Sequence, residues 1–329
     1  MHLPDPLQQA IQEEAEKLEG ASLAGASRQL TDAYQRGNYA HAVLNSPALR
    51  LAYLHVRVPA TYAANLRVFR EIRDRCPDVP VRSILDLGAG PGTSMWAASE
   101  IFPDVERFTL VERDNELLEI GRRMASAGSH PAVRSARWLR EDICISDSFE
   151  RHDLVILSYA LGELNTAAAR LVRTAWLSTS AFLAIIEPGT PRNFEGVLAA
   201  RSALIESGAH IVAPCPHALP CPMAAASDWC HFSQRLERTS EHRRLKGGSL
   251  AYEDEKFSYL VAAKTPVPLP DARIVRHPLK HTGHVQFTLC SPQGLQRITI
   301  GKSKKSGYRE ARHADWGDVW RFDTVPRER

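Results

Sequence analysis

The stretch Asp86-Leu87-Gly88-Ala89-Gly90-Pro91-Gly92-Thr93 decides how the rest of the chain is read. It follows the apolar run Ser83-Ile84-Leu85 and precedes a helical pattern over residues 95–101. Glycines at a strand-to-helix turn let the backbone bend sharply and approach a ligand with no Cβ in the way. A dinucleotide-binding turn spaces its glycines G-x-G-x-x-G and sets a pyrophosphate on the helix N-terminus. Here the spacing is G-x-G-x-G, with an acid two residues before the first glycine and a proline inside the turn. Further apolar runs at 108–112, 136–139, 154–157 and 182–186 alternate with helical patterns at 115–127, 166–177 and 194–207. Apolar runs alternating with helices predict an α/β protein with a parallel sheet covered on both faces.

Two acids fall at telling distances. Glu112 ends the second run, 20 residues after Gly92, where a carboxylate can accept two bonds from ribose hydroxyls. Asp142 follows the third run. Alone, Glu112 reads as a helix N-terminal acid favoured by the dipole, and Asp142 as a turn residue. In this order and spacing, the turn and the two acids resemble the cofactor motifs of class I S-adenosylmethionine (SAM) methyltransferases, with their Rossmann-like sheet. That resemblance implies that Asp86 and the turn at Gly88, Gly90 and Gly92 hold the methionine end of SAM. It likewise puts Glu112 on the ribose and Asp142 on the adenine amine.

Working outward, residues 1–80 read as an N-terminal helical region. Leu7, Ile11, Ala15 and Leu18 share one helix face. Apolar-periodic stretches run over 40–58 and, after Pro59, over 62–72. The breaker cluster Cys76-Pro77-Asp78-Val79-Pro80 marks a boundary. Residues 81–210 form the SAM-binding methyltransferase-like core, and 211–329 a Cys-rich, metal-binding and basic C-terminal region. Within the last, 257–262 is strand-like, and 285–289 and 296–300 flank Ser291-Pro292-Gln293-Gly294 as a β-hairpin. No internal repeat or low-complexity tract interrupts the chain.

Composition narrows the function classes. With 329 residues, 44% hydrophobic and 24% charged, collagen-like, mucin-like and wholly disordered readings are excluded. No stretch reaches about 18 uncharged apolar residues, so no membrane span is expected. The N-terminus is acidic and polar and lacks a secretory signal pattern, so a cytoplasmic monomer is expected, with its six cysteines outside disulfides. From His231 onward there are 19 Lys and Arg against 11 Asp and Glu, a balance of +8 against +3 for the whole chain, so the first 230 residues carry −5. Such a basic third suggests a polyanion partner; the alternative is a solvated face.

Cys215-Pro216-His217-Ala218-Leu219-Pro220-Cys221-Pro222 is followed by Trp229-Cys230-His231-Phe232, with Cys290 as a distant fourth. Three cysteines in a proline-broken loop have no periodicity that would explain them as core, and such a set in a reducing compartment suits a metal. Four thiolates suit zinc or an iron–sulfur cluster. The Cys-Pro pairs favour iron–sulfur, while His217 and His231 keep zinc open. Cys76 and Cys144 read as ordinary buried or loop cysteines.

No catalytic residue is assigned. After the fourth run, Ser158-Tyr159-Ala160-Leu161-Gly162-Glu163-Leu164 departs from the Asn/Asp-Pro-Pro-Tyr/Phe motif of amino-group methyltransferases. Neither this run nor Glu187-Pro188-Gly189 offers the Pro-Cys of cytosine-C5 methyltransferases. Tyr159 and Glu163 either line a methyl site or pack and cap.

Three blocks stand together: residues 84–93, the set from Cys215 through Arg235, and Glu253-Asp254-Glu255-Lys256-Phe257-Ser258-Tyr259-Leu260. Glu187-Pro188-Gly189-Thr190-Pro191 and Trp316-Gly317-Asp318 join them. Together they resemble a methyltransferase-like family associated with the small subunit of the mitochondrial ribosome, which also has bacterial members. The resemblance covers about residues 30–322. It implies binding to the small ribosomal subunit or its rRNA during assembly. It also implies a [4Fe–4S] cluster on Cys215, Cys221, Cys230 and Cys290, and without an evident presequence a bacterial member is expected. Arg235, Arg238, Arg243, Arg244 and Lys246, with Lys302, Lys304, Lys305, Arg309 and Arg312, would then contact phosphates, and Tyr308 would stack a base or pack. Two activities stay open: a SAM-dependent rRNA methyltransferase, and a non-catalytic assembly factor with a structural or redox-sensitive cluster.

Overall fold

The computed structural model describes residues 1–17, 23–35, 43–164, 167–238, 243 and 250–322. Leu18, Arg244 and Lys246, and the side chain of Glu163, lie outside the described residues.

The central sheet is built from β1 (Ser83–Leu87), β2 (Arg107–Glu112), β3 (Arg137–Arg140), β4 (His152–Ser158), β5 (Thr179–Pro188), β6 (His210–Ala213), β7 (Phe232–Glu237) and β8 (Tyr252–Ala263). Its order is β3-β2-β1-β4-β5-β8-β6, with β7 also paired to β8. The first five strands are parallel to one another. Strand β8 then runs antiparallel to β5, β6 and β7, so the sheet is mixed rather than wholly parallel. The reason lies in β8 itself. Residues 257–263 are buried in succession, the pattern of a strand covered on both faces, and it enters between β5 and β6 with Ile185 opposite Leu260.

Pleating sorts the strand residues. Ile84, Leu154, Ile156, Phe182 and Ala184 face one core; Leu85, Val155, Leu157, Leu183 and Ile185 face the other. The first face is covered by α1 (Asp5–Glu16), α3 (Pro47–Arg75), α4 (Thr93–Ile101) and α5 (Asn115–Ser126); α2 (Leu23–Gln35) packs on α3. The short α6 (Pro131–Arg134) leads into β3. The second face is covered by α7 (Ala168–Leu177) and α8 (Pro191–Glu206).

Helix α3 differs from its sequence reading. It runs 29 residues straight through Pro59, whereas two pieces were expected. It begins at Ser46, whose hydroxyl accepts the Leu49 N–H at 3.3 Å, and is buried over most of its circumference between sheet and neighbouring helices. That tertiary packing outweighs the roughly 3 kcal/mol a proline costs an isolated helix.

Beyond the sheet, α9 (Pro222–Ala225) sits in the cysteine loop. A second sheet holds β9 (Ala272–Ile274), β10 (Leu279–Lys280), β11 (His284–Ser291), β12 (Gly294–Gly301) and β13 (Val319–Trp320), in the order β10-β11-β9-β13, with β12 on β11. Val285, Phe287, Leu289 and Trp320 form its core under α10 (Lys305–His313). No helix of the described residues is long and apolar enough to cross a membrane.

Candidate functional site

The glycine turn bends where only glycines do so without strain. Gly88, Gly90 and Gly92 have φ of 78°, 54° and 81°, all in the left-handed region that disfavours side chains. A Cβ on Gly92 would lie 2.8 Å from the Trp138 ring, whereas one on Gly90 would meet only the Tyr53 hydroxyl, at 3.8 Å. Tyr53 on α3 and Trp138 on β3 therefore shape the turn, although nothing in their local sequence distinguishes them from core aromatics.

Glu112 stands beside this turn and braces it. One carboxylate oxygen accepts the Gly90 N–H at 2.9 Å and the other the Asp114 N–H at 2.8 Å. Burial raises its pKa against these bonds. With two hydrogen bonds from Gly90 and Asp114 and a further backbone bond from Arg113, the carboxylate keeps acceptor capacity for a ligand hydroxyl.

Asp86 lies at the base of the turn, 1% exposed, and neither of its oxygens has a hydrogen-bond partner. Burial pushes its pKa up to about 7, opposed by the nearby Ser94 hydroxyl and helped by the Glu112 charge. Asp142 is otherwise engaged. Its Oδ1 accepts the Cys144 N–H at 2.8 Å and its Oδ2 lies 3.6 Å from Arg113. Partial burial works to raise its pKa, but Cys144 and Arg113 together hold it below the usual carboxylate range.

The end of β4 is tied up by internal bonds. Tyr159 takes φ of 57°, a genuine outlier for a bulky residue. Its N–H donates to the Ile186 carbonyl at 2.7 Å and its hydroxyl to Glu255 Oε1 at 2.8 Å. Arg57 lies 3.4 Å from the same carboxylate oxygen. Burial and the Glu255 charge hold the phenol well above its ordinary pKa, which removes it as a base at neutral pH. Glu187, 1% exposed, accepts the N–H groups of Leu161 at 2.7 Å and Gly162 at 3.2 Å, fixing the short 3₁₀ turn Leu161–Glu163.

The cysteines form a second site. Cys215, Cys221, Cys230 and Cys290 all line one cleft between α8, β8 and the cysteine loop, with about 590 Å³ of empty space counting its mouth. Burial raises the thiol pKa of Cys215, of Cys230 and of Cys290, the last to about 12. Charge repulsion from neighbouring thiols adds to each of these shifts. His217 Nε2 is 3.6 Å from Cys290 Sγ. Among the described residues, no three His, Cys, Asp or Glu form a group that could hold a metal ion. His231 is not part of this set: it stacks on Trp229 at 5.0 Å and meets Trp316 edge-on at 4.9 Å.

The expected basic face is partly spent. Strand β7 places Arg235 opposite Asp254 on β8. Arg235 grips that carboxylate with two bonds of 2.8 Å and covers the Tyr252 ring; Arg238 bonds Glu253. Cross-strand acids thus occupy these arginines. Tyr308 packs against the small-sheet core. Lys302, Lys305, Arg309 and Arg312 are exposed.

Sheet order and glycine turn give the chain an α/β methyltransferase-like fold with a mixed sheet. The chain belongs to the family described as mitochondrial small ribosomal subunit Rsm22, whose family model matches residues 47–321. A human protein, "Ribosome assembly protein METTL17, mitochondrial", is 29% identical over 92% of this chain and 68% of its own length. The fission-yeast "Rsm22-cox11 tandem protein 2, mitochondrial" is 29% identical over 82% of this chain, which spans 43% of that protein. Among solved structures, a precorrin-6y C5,15-methyltransferase from Geobacter metallireducens is 14% identical with a TM-score of 0.39, covering 60% of this chain and 86% of its own. The expectation of a cytoplasmic protein is overturned, because these relatives are mitochondrial by name. That expectation rested on an acidic N-terminus, which carries no positive information about location.

Proposed function

We propose that the chain is a SAM-binding, methyltransferase-like protein acting on the small ribosomal subunit or its rRNA during assembly. Asp86 carries the SAM part: a buried carboxylate with both oxygens unpartnered is costly unless a ligand supplies donors. The methionine ammonium would fill that need, with the turn at Gly88, Gly90 and Gly92 alongside. Glu112 would receive the ribose hydroxyls, while Asp142 has only part of its carboxylate left for adenine. When bound, SAM supplies an activated methyl group. The chain's own contribution is a pre-bent turn, held against Glu112 before any ligand arrives, which lowers the ordering cost of binding. The ribosomal part rests on family membership, supported by the exposed cations of the small sheet.

A second reading, a non-catalytic assembly factor, is favoured by the end of β4. Among the described side chains there, Tyr159, Glu187 and Glu255 are all engaged by protein partners. Methyl incorporation from labelled SAM into naked rRNA and into immature small subunits separates the two. Incorporation establishes the enzyme. SAM binding without incorporation establishes the assembly factor, and absence of SAM binding refutes the role given to Asp86.

The four thiols of the cleft are read as the ligands of a [4Fe–4S] cluster, with zinc as the alternative. The donor set suits either, since sulfur alone is offered at four positions. A bound cluster would supply a wide inorganic anchor for a loop with little apolar surface of its own. Brown colour with matching iron and sulfide in anaerobically prepared protein supports the cluster; a colourless protein with one zinc overturns it.

A further inference from the structure

Two arginines line the cysteine cleft, and both are buried deeply: Arg201 on α8 is 5% exposed and Arg273 on β9 is 1% exposed. Buried guanidinium groups are costly unless paired with an anion and fully hydrogen-bonded. Arg273 meets the first condition. Its Nη1 donates to Glu71 Oε1 at 2.9 Å and to the Gly317 carbonyl at 2.7 Å, and its Nε to the Pro214 carbonyl at 2.9 Å. Arg201 meets neither. Its Nη2 donates to the carbonyls of His217 at 2.8 Å and Leu219 at 2.9 Å, and among the described residues no carboxylate forms an ion pair with it. Each arginine also keeps a buried nitrogen without a partner, Nε in Arg201 and Nη2 in Arg273.

The other charges around the cleft cancel. Arg276 is held by Asp228, and Glu71 answers Arg273. Among the described residues, the cleft therefore carries one uncompensated cation, and Arg201 Nε and Arg273 Nη2 lack partners. An electrically neutral set of four thiols leaves that cation stranded; an anionic occupant does not.

We propose that Arg201 is the counter-charge of an anionic thiolate-bound centre held by Cys215, Cys221, Cys230 and Cys290, with Arg273 as a second donor to it. The inference rests on the cluster reading above. In that reading the four thiolates outweigh the charge of the oxidised inorganic core, so the occupied site is anionic and becomes more so on taking up one electron. A fixed cation beside it favours the reduced form. Arg201 also holds the loop carbonyls that carry Cys215 and Cys221, so it couples the charge of the centre to the shape of the loop. Lysine preserves the charge but loses the planar fork; glutamine loses the charge.

The test uses the full chain prepared without oxygen, as wild type, Arg201→Gln, Arg201→Lys and Arg273→Lys. Iron and sulfide content, circular dichroism and the midpoint potential by optical titration are measured on each. Arg201→Gln is expected to lower the reduced-to-oxidised ratio at a fixed ambient potential at least tenfold, about 59 mV for a one-electron couple. Arg201→Lys is expected to stay within threefold of wild type, and Arg273→Lys to shift less than Arg201→Gln. Should Arg201→Gln fail to load, a loaded Arg201→Lys with the wild-type potential still supports the counter-charge. An unloaded but folded Arg201→Lys makes the arginine a loop clamp only and overturns the proposal. A loaded Arg201→Gln with an unchanged potential overturns it too, while the cluster reading survives. Wild-type protein without iron and sulfide removes the cluster reading itself.

Discussion

At the residue scale, two glycines of one motif make different demands. Gly92 combines a left-handed backbone with a Cβ position 2.8 Å from Trp138, whereas Gly90 has the backbone demand with only an ordinary contact to the Tyr53 hydroxyl at 3.8 Å. Gly92→Ala is expected to cost about 2–4 kcal/mol and Gly90→Ala about 1–2 kcal/mol, read by denaturant unfolding. Equal losses would mean that Trp138 moves aside freely. Asp86 makes a pH prediction. Its folded pKa of about 7 lies above the unfolded carboxylate value, so the native state binds the extra proton. Stability without ligand therefore falls as pH rises from about 4 to about 7. Asp86→Asn should remove that slope, so its melting temperature exceeds wild type increasingly between about pH 4 and pH 7, and on the proposed reading SAM affinity drops. A pH-independent difference would place the charge elsewhere. Both glycines and the acid were legible in the sequence, because a turn motif writes its backbone needs into residue type. Tyr53 and Trp138 were not, since an aromatic chain shows its role only through what folds against it.

At the scale of elements, α1 is fastened to α5 by one ion pair. Glu14, 8% exposed, receives Arg123 Nε at 2.9 Å and Nη2 at 2.7 Å. The Arg123 bond holds the Glu14 pKa below the usual range against burial. Its stabilising effect is present above the unfolded carboxylate pKa and lost as pH falls through the lower folded value. Glu14→Gln should cost about 1 kcal/mol near neutral pH, and the gap should close in acid. A gap that persists at about pH 3 would point to packing instead. Two elements escaped the sequence pattern for opposite reasons. Helix α3 passes through Pro59 because burial on most sides outweighs a local defect. Strand β7 carries Arg235 beside Glu237 and reads as part of a basic, solvated face until β8 is laid opposite with Glu253 and Asp254.

For the whole molecule, the cysteine loop lies where the two sheets meet. Arg273 reaches Glu71, Pro214 and Gly317, while Arg67 bonds Gly317 and Asp318, so protein contacts already join α3, the loop and the small sheet. The loop itself has few buried apolar residues and depends on carbonyl bonds to Arg201, Arg273 and Arg276. If the proposed cluster is held there, Cys221→Ser is expected to lose its iron and to open residues 214–231 to limited proteolysis while leaving the central sheet intact. Unchanged digestion would deny the centre any role as a fastener.

Sequence alone determined the parallel half of the sheet, the glycine turn with its two acids, and the candidate thiols. Each is a local pattern, either an apolar period or a residue type demanded by backbone geometry. Tertiary structure alone decided that β8, coming after the cysteine loop, enters between β5 and β6. It also brought Cys290 to the same cleft as the other three cysteines, engaged Arg235 and Arg238 with acids, and buried Arg201 without an anion beside it. These follow from contacts between residues far apart in the chain, and no periodicity of either segment records the face that its partner will present.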